Sequence, residues 1–226
     1  MFTVLYEDNH VIAVAKDNNT LVHSDKTGDR TLEDEVKAYI KEKYNKPGNV
    51  FLGVIHRIDR PVSGIVLFSR TSKALARMNE LFKQKAISKS YYAIVENIPQ
   101  KQTDTLTHFI SRNTKKNKSF VSQKQTANSK QASLSYTHIG SSEKYHILQV
   151  DLHTGRHHQI RAQLAHIGCC IKGDLKYGAR RSNPNGGISL HAYSVSFTHP
   201  VSKEKLHITA PFPDDTLWNE FRKLVL

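Results

Sequence analysis

The segment His56-Arg57-Ile58-Asp59-Arg60-Pro61-Val62-Ser63-Gly64 places one carboxylate between two guanidinium groups, followed by a small-residue turn and an apolar run, Ile65 to Phe68. Arginine stays protonated and can hold a carboxylate through paired hydrogen bonds, which favours the charged acid. A fixed aspartate of this kind can act as a nucleophile, as a general base, or only as half of a surface ion pair. These nine residues do not choose among the three.

Two later segments also carry polar groups at close spacing. Lys89-Ser90-Tyr91-Tyr92-Ala93-Ile94-Val95 sets two phenols in a strand-like run. Thr154-Gly155-Arg156-His157-His158-Gln159-Ile160-Arg161 continues through His166-Ile167-Gly168 and Ile171-Lys172-Gly173-Asp174 to Tyr177-Gly178. In order and spacing the three segments resemble the HRLDxxTSG, KxYxAxV and TGRTHQIRxHLxxxGxPIxGDxxYG signatures of the RluA family of RNA pseudouridine synthases. The matches extend over most of positions 11 to 200.

The resemblance implies isomerisation of uridine in RNA: the N1–C1′ bond breaks, the uracil turns, and C5 joins C1′. No redox change occurs, so no cofactor is expected. It further implies Asp59 as the catalytic carboxylate, Tyr91 beside the uracil and available for the C5 proton, and Arg161 as the arginine that pairs with Asp59. Arg156 remains the alternative partner. Whether Asp59 attacks C1′, attacks the base or removes a ribose proton is left open. The target uridine must leave its stack to be reached, and shaped loops and single-stranded bases would supply specificity. Arg57, Arg60, Arg156, His158 and Gln159 are the expected RNA contacts; Arg57 has a structural alternative, and His56 reads equally as a satisfied core histidine. The chain departs from the signatures at Ala15-Lys16-Asp17-Asn18-Asn19 (usually NKPxG), Val62, His157, Gln163 and Leu175. None removes a proposed catalytic group, so they bear on substrate identity.

These residues need elements to carry them. Val4 to Tyr6 and Val11 to Ala15 read as strands around a Glu7-Asp8-Asn9 turn. Thr31 with Asp34 predicts a capped helix bearing Leu32, Val36, Tyr39 and Ile40. Ser72 is the expected cap of a second helix, with Leu75, Met78, Leu81 and Phe82 as its core stripe. Ile65 to Ser69, Tyr91 to Glu96, Ala132 to Ile139, Tyr145 to His153, Ile188 to Phe197 and Lys205 to Thr209 read as strands. Arg156 to Ile167 predicts a helix ended by Gly168, with Arg156 among the free N–H groups of its start, where a phosphate could sit. Asp214 is the expected cap of a closing helix with Leu217, Trp218, Phe221 and Leu224 buried. Positions 97 to 131 are polar and basic; they read as a solvated loop or loose hairpin, or as an RNA-gripping insertion with Lys115, Lys116 and Lys118 beside Phe120. Many strands without strict βαβ alternation predict an α+β fold with a mixed, largely antiparallel sheet and flanking helices, as one domain over 1–226.

Composition bounds the rest. The chain has 226 residues, 33 Lys plus Arg against 20 Asp plus Glu, and a net charge of +13. That balance favours a polyanionic partner. No run approaches a membrane span, and the start lacks the basic and apolar regions of a signal peptide, so a cytoplasmic protein is expected; no obligate protein partner is evident, and a monomer is expected. Cys169 and Cys170 are adjacent and read as buried small hydrophobes rather than a disulfide. His153, His157, His158 and His166 lie close in sequence, but no acid or cysteine completes a ligand spacing, so no metal is expected. An RNA-binding module or chaperone without chemistry, and a metal-dependent nuclease or deaminase, are the competing readings. The first would not need an acid amid basic residues, and the second lacks its ligand set.

Overall fold

The computed structural model describes residues 2–24 and 28–225. The fold is α+β, with a mixed, largely antiparallel sheet and flanking helices. In chain order the elements are β1 (Phe2–Glu7), β2 (Val11–Lys16), α1 (Leu32–Lys43), β3 (Gly53–Val54), β4 (Ser63–Ser69), α2 (Ser72–Lys83), β5 (Ser88–Val95), β6 (Thr103–Asn113), β7 (Lys118–Ser122), β8 (Ser129–Ser141), β9 (His146–Leu152), α3 (Gln159–His166), a short 3-10 turn (Leu175–Tyr177), β10 (Leu190–Thr198), β11 (Lys205–Thr209) and α4 (Thr216–Val225). They gather into two compact units: Met1–Ile87 with Ala192–Pro211, and Ser88–His191 with Phe212–Leu226.

In the first unit, β1 and β2 form an antiparallel hairpin. Its turn is set locally: the Asp8 carboxylate accepts from the N–H groups of His10 and Val11, at 2.8 and 2.7 Å, the short-range bonding that makes aspartate a turn residue. β2 pairs antiparallel with β4 in a register that opposes Lys16 to Gly64 and Val11 to Ser69. Thr31 caps α1 as expected: Asp34 N–H donates to the threonine hydroxyl oxygen, and the Asp34 carboxylate accepts from Thr31 N–H, closing a capping box. α2 is capped by Thr71, whose hydroxyl accepts from Ala74 N–H at 3.2 Å, and not by Ser72; either hydroxyl suits a cap, and backbone geometry chose the earlier one. Val11, Ala13, Ile65, Leu67, Met78, Val195, Phe197 and Ile208 form the core here.

In the second unit the order is β5-β9-β8-β6-β7, with every neighbouring pair antiparallel. The polar stretch read as a loop or loose hairpin is an ordered hairpin: β6 and β7 pair from Phe109–Ser122 to Asn113–Lys118. Its strands alternate buried and exposed residues, a period-2 pattern masked in the sequence by serine, threonine and lysine. α4 buries Trp218 and Phe221, with Trp218 stacked on Phe212 at 5.4 Å between ring centroids; Leu217 is only half-buried and Leu224, expected in the same stripe, is 52% exposed at the end of the helix. Asp215, not Asp214, caps it, accepting from the N–H groups of Leu217 and Trp218.

Candidate active site

Asp59 lies half-buried on the turn that enters β4. The turn is tied at each carbonyl. Val62 N–H donates to the Asp59 carbonyl at 3.0 Å, and Asn19 N–H donates to the Arg60 carbonyl at 2.8 Å. The Lys16 ammonium donates to that same Arg60 carbonyl at 3.0 Å. Downstream, Gly64 has φ +112°, and a Cβ there would meet the Ala192 carbonyl oxygen at 2.2 Å. Only glycine allows that approach. Upstream, His56 Nε2 accepts from Leu67 N–H at 3.1 Å while its ring stacks on Phe82. An acceptor at Nε2 places the ring proton on Nδ1. His56 is therefore a structural histidine, as one of the two readings had it.

The two arginines beside Asp59 have different surroundings. Arg60 Nε donates to the Asn19 carbonyl at 3.0 Å, and its Nη1 pairs with Asp29 at 2.9 Å. Both partners of that pair are about half exposed, so it adds little energy. It steadies the turn from outside. Arg57 is exposed. Lys16 was noted in the sequence only as part of a motif departure, yet it is 2% exposed. Its position at the end of the otherwise apolar run Val11–Lys16 was the available signal.

In the second unit Tyr91 is 7% exposed on β5, opposite Val150 of β9. Its neighbour Tyr92 packs edge-on against Phe212. Arg161 is carried by α3 and buried; its Nε and Nη2 donate to the two oxygens of Asp174, at 2.7 and 2.8 Å. The Tyr177 ring lies 5.1 Å from the guanidinium carbon. This bidentate pair joins two parts of the third motif, thirteen residues apart.

α3 starts at Gln159, three residues after Arg156, because His158 takes a left-handed conformation, φ 52°. The Arg156 N–H donates to Gln159 Oε1 at 3.0 Å, and Arg156 Nε donates to the Gln131 carbonyl. Arg156 is thus not at a helix start with free N–H groups, which corrects the phosphate site expected there. Gln159 is 3% exposed. Its Oε1 also accepts from the Thr154 hydroxyl, and its amide donates to the Ser133 carbonyl. Gln159 therefore builds the Thr154–Arg156 loop from inside.

His158 is also buried, with Nδ1 at 3.0 Å from the Tyr177 hydroxyl. Ser119 N–H donates to that same hydroxyl. Burial, and then the positive charge of Arg161, hold the His158 imidazole far below the usual histidine range. The neutral buried ring is a hydrogen-bond partner for Tyr177. His157 stacks on His158 at 3.7 Å, and its Nδ1 and carbonyl both bond the Ser119 hydroxyl. These contacts fasten the β6–β7 hairpin onto the start of α3. The hairpin turn exposes Lys115 and Lys116; Lys118 is half-buried, with its ammonium 5.0 Å from the Tyr177 ring and 5.9 Å from exposed Phe120. Among the described residues, no group of three or more His, Cys, Asp or Glu side chains is placed to hold a metal ion. No helix there is long and apolar enough to cross a membrane.

Comparison with known proteins agrees with the motifs. The family described as RNA pseudouridylate synthase matches residues 10–166. The tRNA pseudouridine synthase C of Haemophilus influenzae is 30% identical, over 98% of this chain and 98% of its own length. A ribosomal large subunit pseudouridine synthase C of Buchnera aphidicola is 30% identical over 92% of this chain and 66% of its own length. Among solved structures, human RNA pseudouridylate synthase domain containing 4 shares the fold, with a TM-score of 0.79 at 19% identity, covering 98% of this chain and 92% of that one. Fold and motifs together define an RNA-modifying isomerase. The chain belongs to the RNA pseudouridylate synthase family, as a member of its RluA type.

Proposed function

We propose that this chain converts uridine to pseudouridine in structured ribosomal or transfer RNA, with Asp59 as the catalytic carboxylate acting on a flipped-out nucleotide. Tyr91 and Arg161 complete the catalytic set. The N1–C1′ bond breaks, C5 bonds to C1′, and the C5 proton is lost while N1 regains one; atoms and electrons balance without a cofactor. The observation that carries this reading is the turn around Asp59, held by Val62 N–H, Asn19 N–H, the Lys16 ammonium and the glycine-only approach at Gly64. Such pre-organisation is what a reacting group needs and a surface ion pair does not. Arg57 and the hairpin cations Lys115, Lys116 and Lys118 supply phosphate contacts, with Phe120 exposed for stacking on a base. The whole chain acts as a single catalytic domain, as a monomer in the cytoplasm.

The test is a pseudouridine map of total RNA from cells with and without the gene, by chemical labelling and reverse-transcription stops. A site should vanish on deletion, return with the wild type, and stay absent with Asp59→Asn, while that variant keeps RNA affinity within a few-fold. A site restored by Asp59→Asn would overturn the assignment of Asp59.

A further inference from the structure

The Lys16 side chain is among the largest fully buried ones in the protein. Burying an ammonium costs several kcal/mol unless partners compensate. Here they are specific. Nζ donates to the Asp17 carbonyl at 2.9 Å and to the Arg60 carbonyl at 3.0 Å. The second bond ends on the residue that follows Asp59. The β2–β4 register, with Lys16 opposite Gly64, brings this ammonium to the Asp59 turn. The charged groups that face it are the carboxylates of Asp59 and Asp17, which attract it, and the guanidinium of Arg60, which repels it.

We infer that Lys16 is a positioning residue for Asp59: its buried ammonium fixes the Arg60 carbonyl and supplies a stationary positive charge to the carboxylate one residue before. This rests on the reading of Asp59 as the catalytic group. An apolar side chain would fill the space at lower desolvation cost, so retention of a cation here points to its charge and donors. Burial pushes the Lys16 ammonium down to about 7, against the pull of Asp59 and then Asp17. Its charge is then present below that pH and lost above it, so the support given to Asp59 weakens on the alkaline side.

Two measurements test this. The first follows the ¹⁵Nζ resonance of Lys16 through a pH titration in the wild type and in Asp59→Asn. A midpoint near neutrality that falls in Asp59→Asn is expected; the same midpoint in both proteins overturns the proposal. This readout needs no turnover, so it stands even if the wild type makes no pseudouridine, a result that would count against the proposed function instead. The second compares Lys16→Met with the wild type. Methionine keeps most of the volume and removes charge and donors, so melting temperature should hold or rise. The kcat should fall roughly ten- to a hundredfold through loss of alignment, with KM for RNA within about threefold, since only the reacting geometry is disturbed. The alkaline fall in kcat should disappear from the residual activity. A folded Lys16→Met enzyme with wild-type kcat overturns the proposal.

Discussion

Asp174→Ala isolates the energetics of the buried pair beneath the third motif. Arg161 is 5% and Asp174 1% exposed, and the two hydrogen bonds measure 2.7 and 2.8 Å. Removing the carboxylate leaves a guanidinium that cannot lose its proton, packed over Tyr177 and shielded from water. Breaking one side of a buried pair costs about 3–5 kcal/mol. At about 2–4 °C per kcal/mol for a chain of this size, the melting temperature should fall by roughly 6–20 °C. The sole tryptophan, Trp218, lies in the same unit and is 3% exposed, so its fluorescence reports the affected part during urea and thermal unfolding. The double variant Arg161→Met/Asp174→Leu removes both charges and should recover most of the lost stability, because the desolvation cost disappears with the ions. It should still fail to make pseudouridine, since Arg161 belongs to the proposed catalytic set. A double variant as unstable as Asp174→Ala, or a single-variant loss under about 1 kcal/mol, would refute the argument; the double-mutant cycle gives the coupling energy directly.

Three further outcomes follow from the same structure. Gly64→Ala should destabilise by more than the ~1–3 kcal/mol of a strained backbone, because its Cβ meets the backbone of Ala192 on β10; urea unfolding measures this, and a near-neutral result would remove the glycine argument. Neutralising Lys115, Lys116 and Lys118 together should weaken RNA binding and flatten the slope of log affinity against log salt by about 2–3, at roughly 0.7–0.9 per phosphate contact; an unchanged slope makes the hairpin turn a solvated one. His158 is held neutral by burial, so below the usual histidine range the unfolded chain takes up a proton that the folded one refuses. Stability should therefore fall as pH drops through about 6.5 and below. His158→Asn, which tolerates the left-handed backbone, should flatten that part of the melting-temperature profile; an unaltered profile would assign the loss elsewhere.

What the sequence by itself determined is mostly local in range. The Asp8 turn, the Thr31–Asp34 capping box, the apolar faces of α1 and α2 and the Trp218–Phe221 part of the α4 face depend on residues one to four positions apart, and spacing reports such interactions directly. The three motifs, ordered and correctly spaced, were enough to identify the family. Even short-range reading missed by one residue where two polar groups competed, at Thr71 against Ser72 and Asp215 against Asp214. It also started α3 too early, because no sequence signal marks His158 as left-handed. Tertiary structure decided the partners. Arg60 pairs with Asp29 and Arg161 with Asp174, and His158 and Gln159 are buried. Lys16 meets the Arg60 carbonyl across 44 positions, through the β2–β4 register that sets Lys16 opposite Gly64. Charge partnership depends on distance and desolvation, and both are properties of the packed chain rather than of the order of its residues.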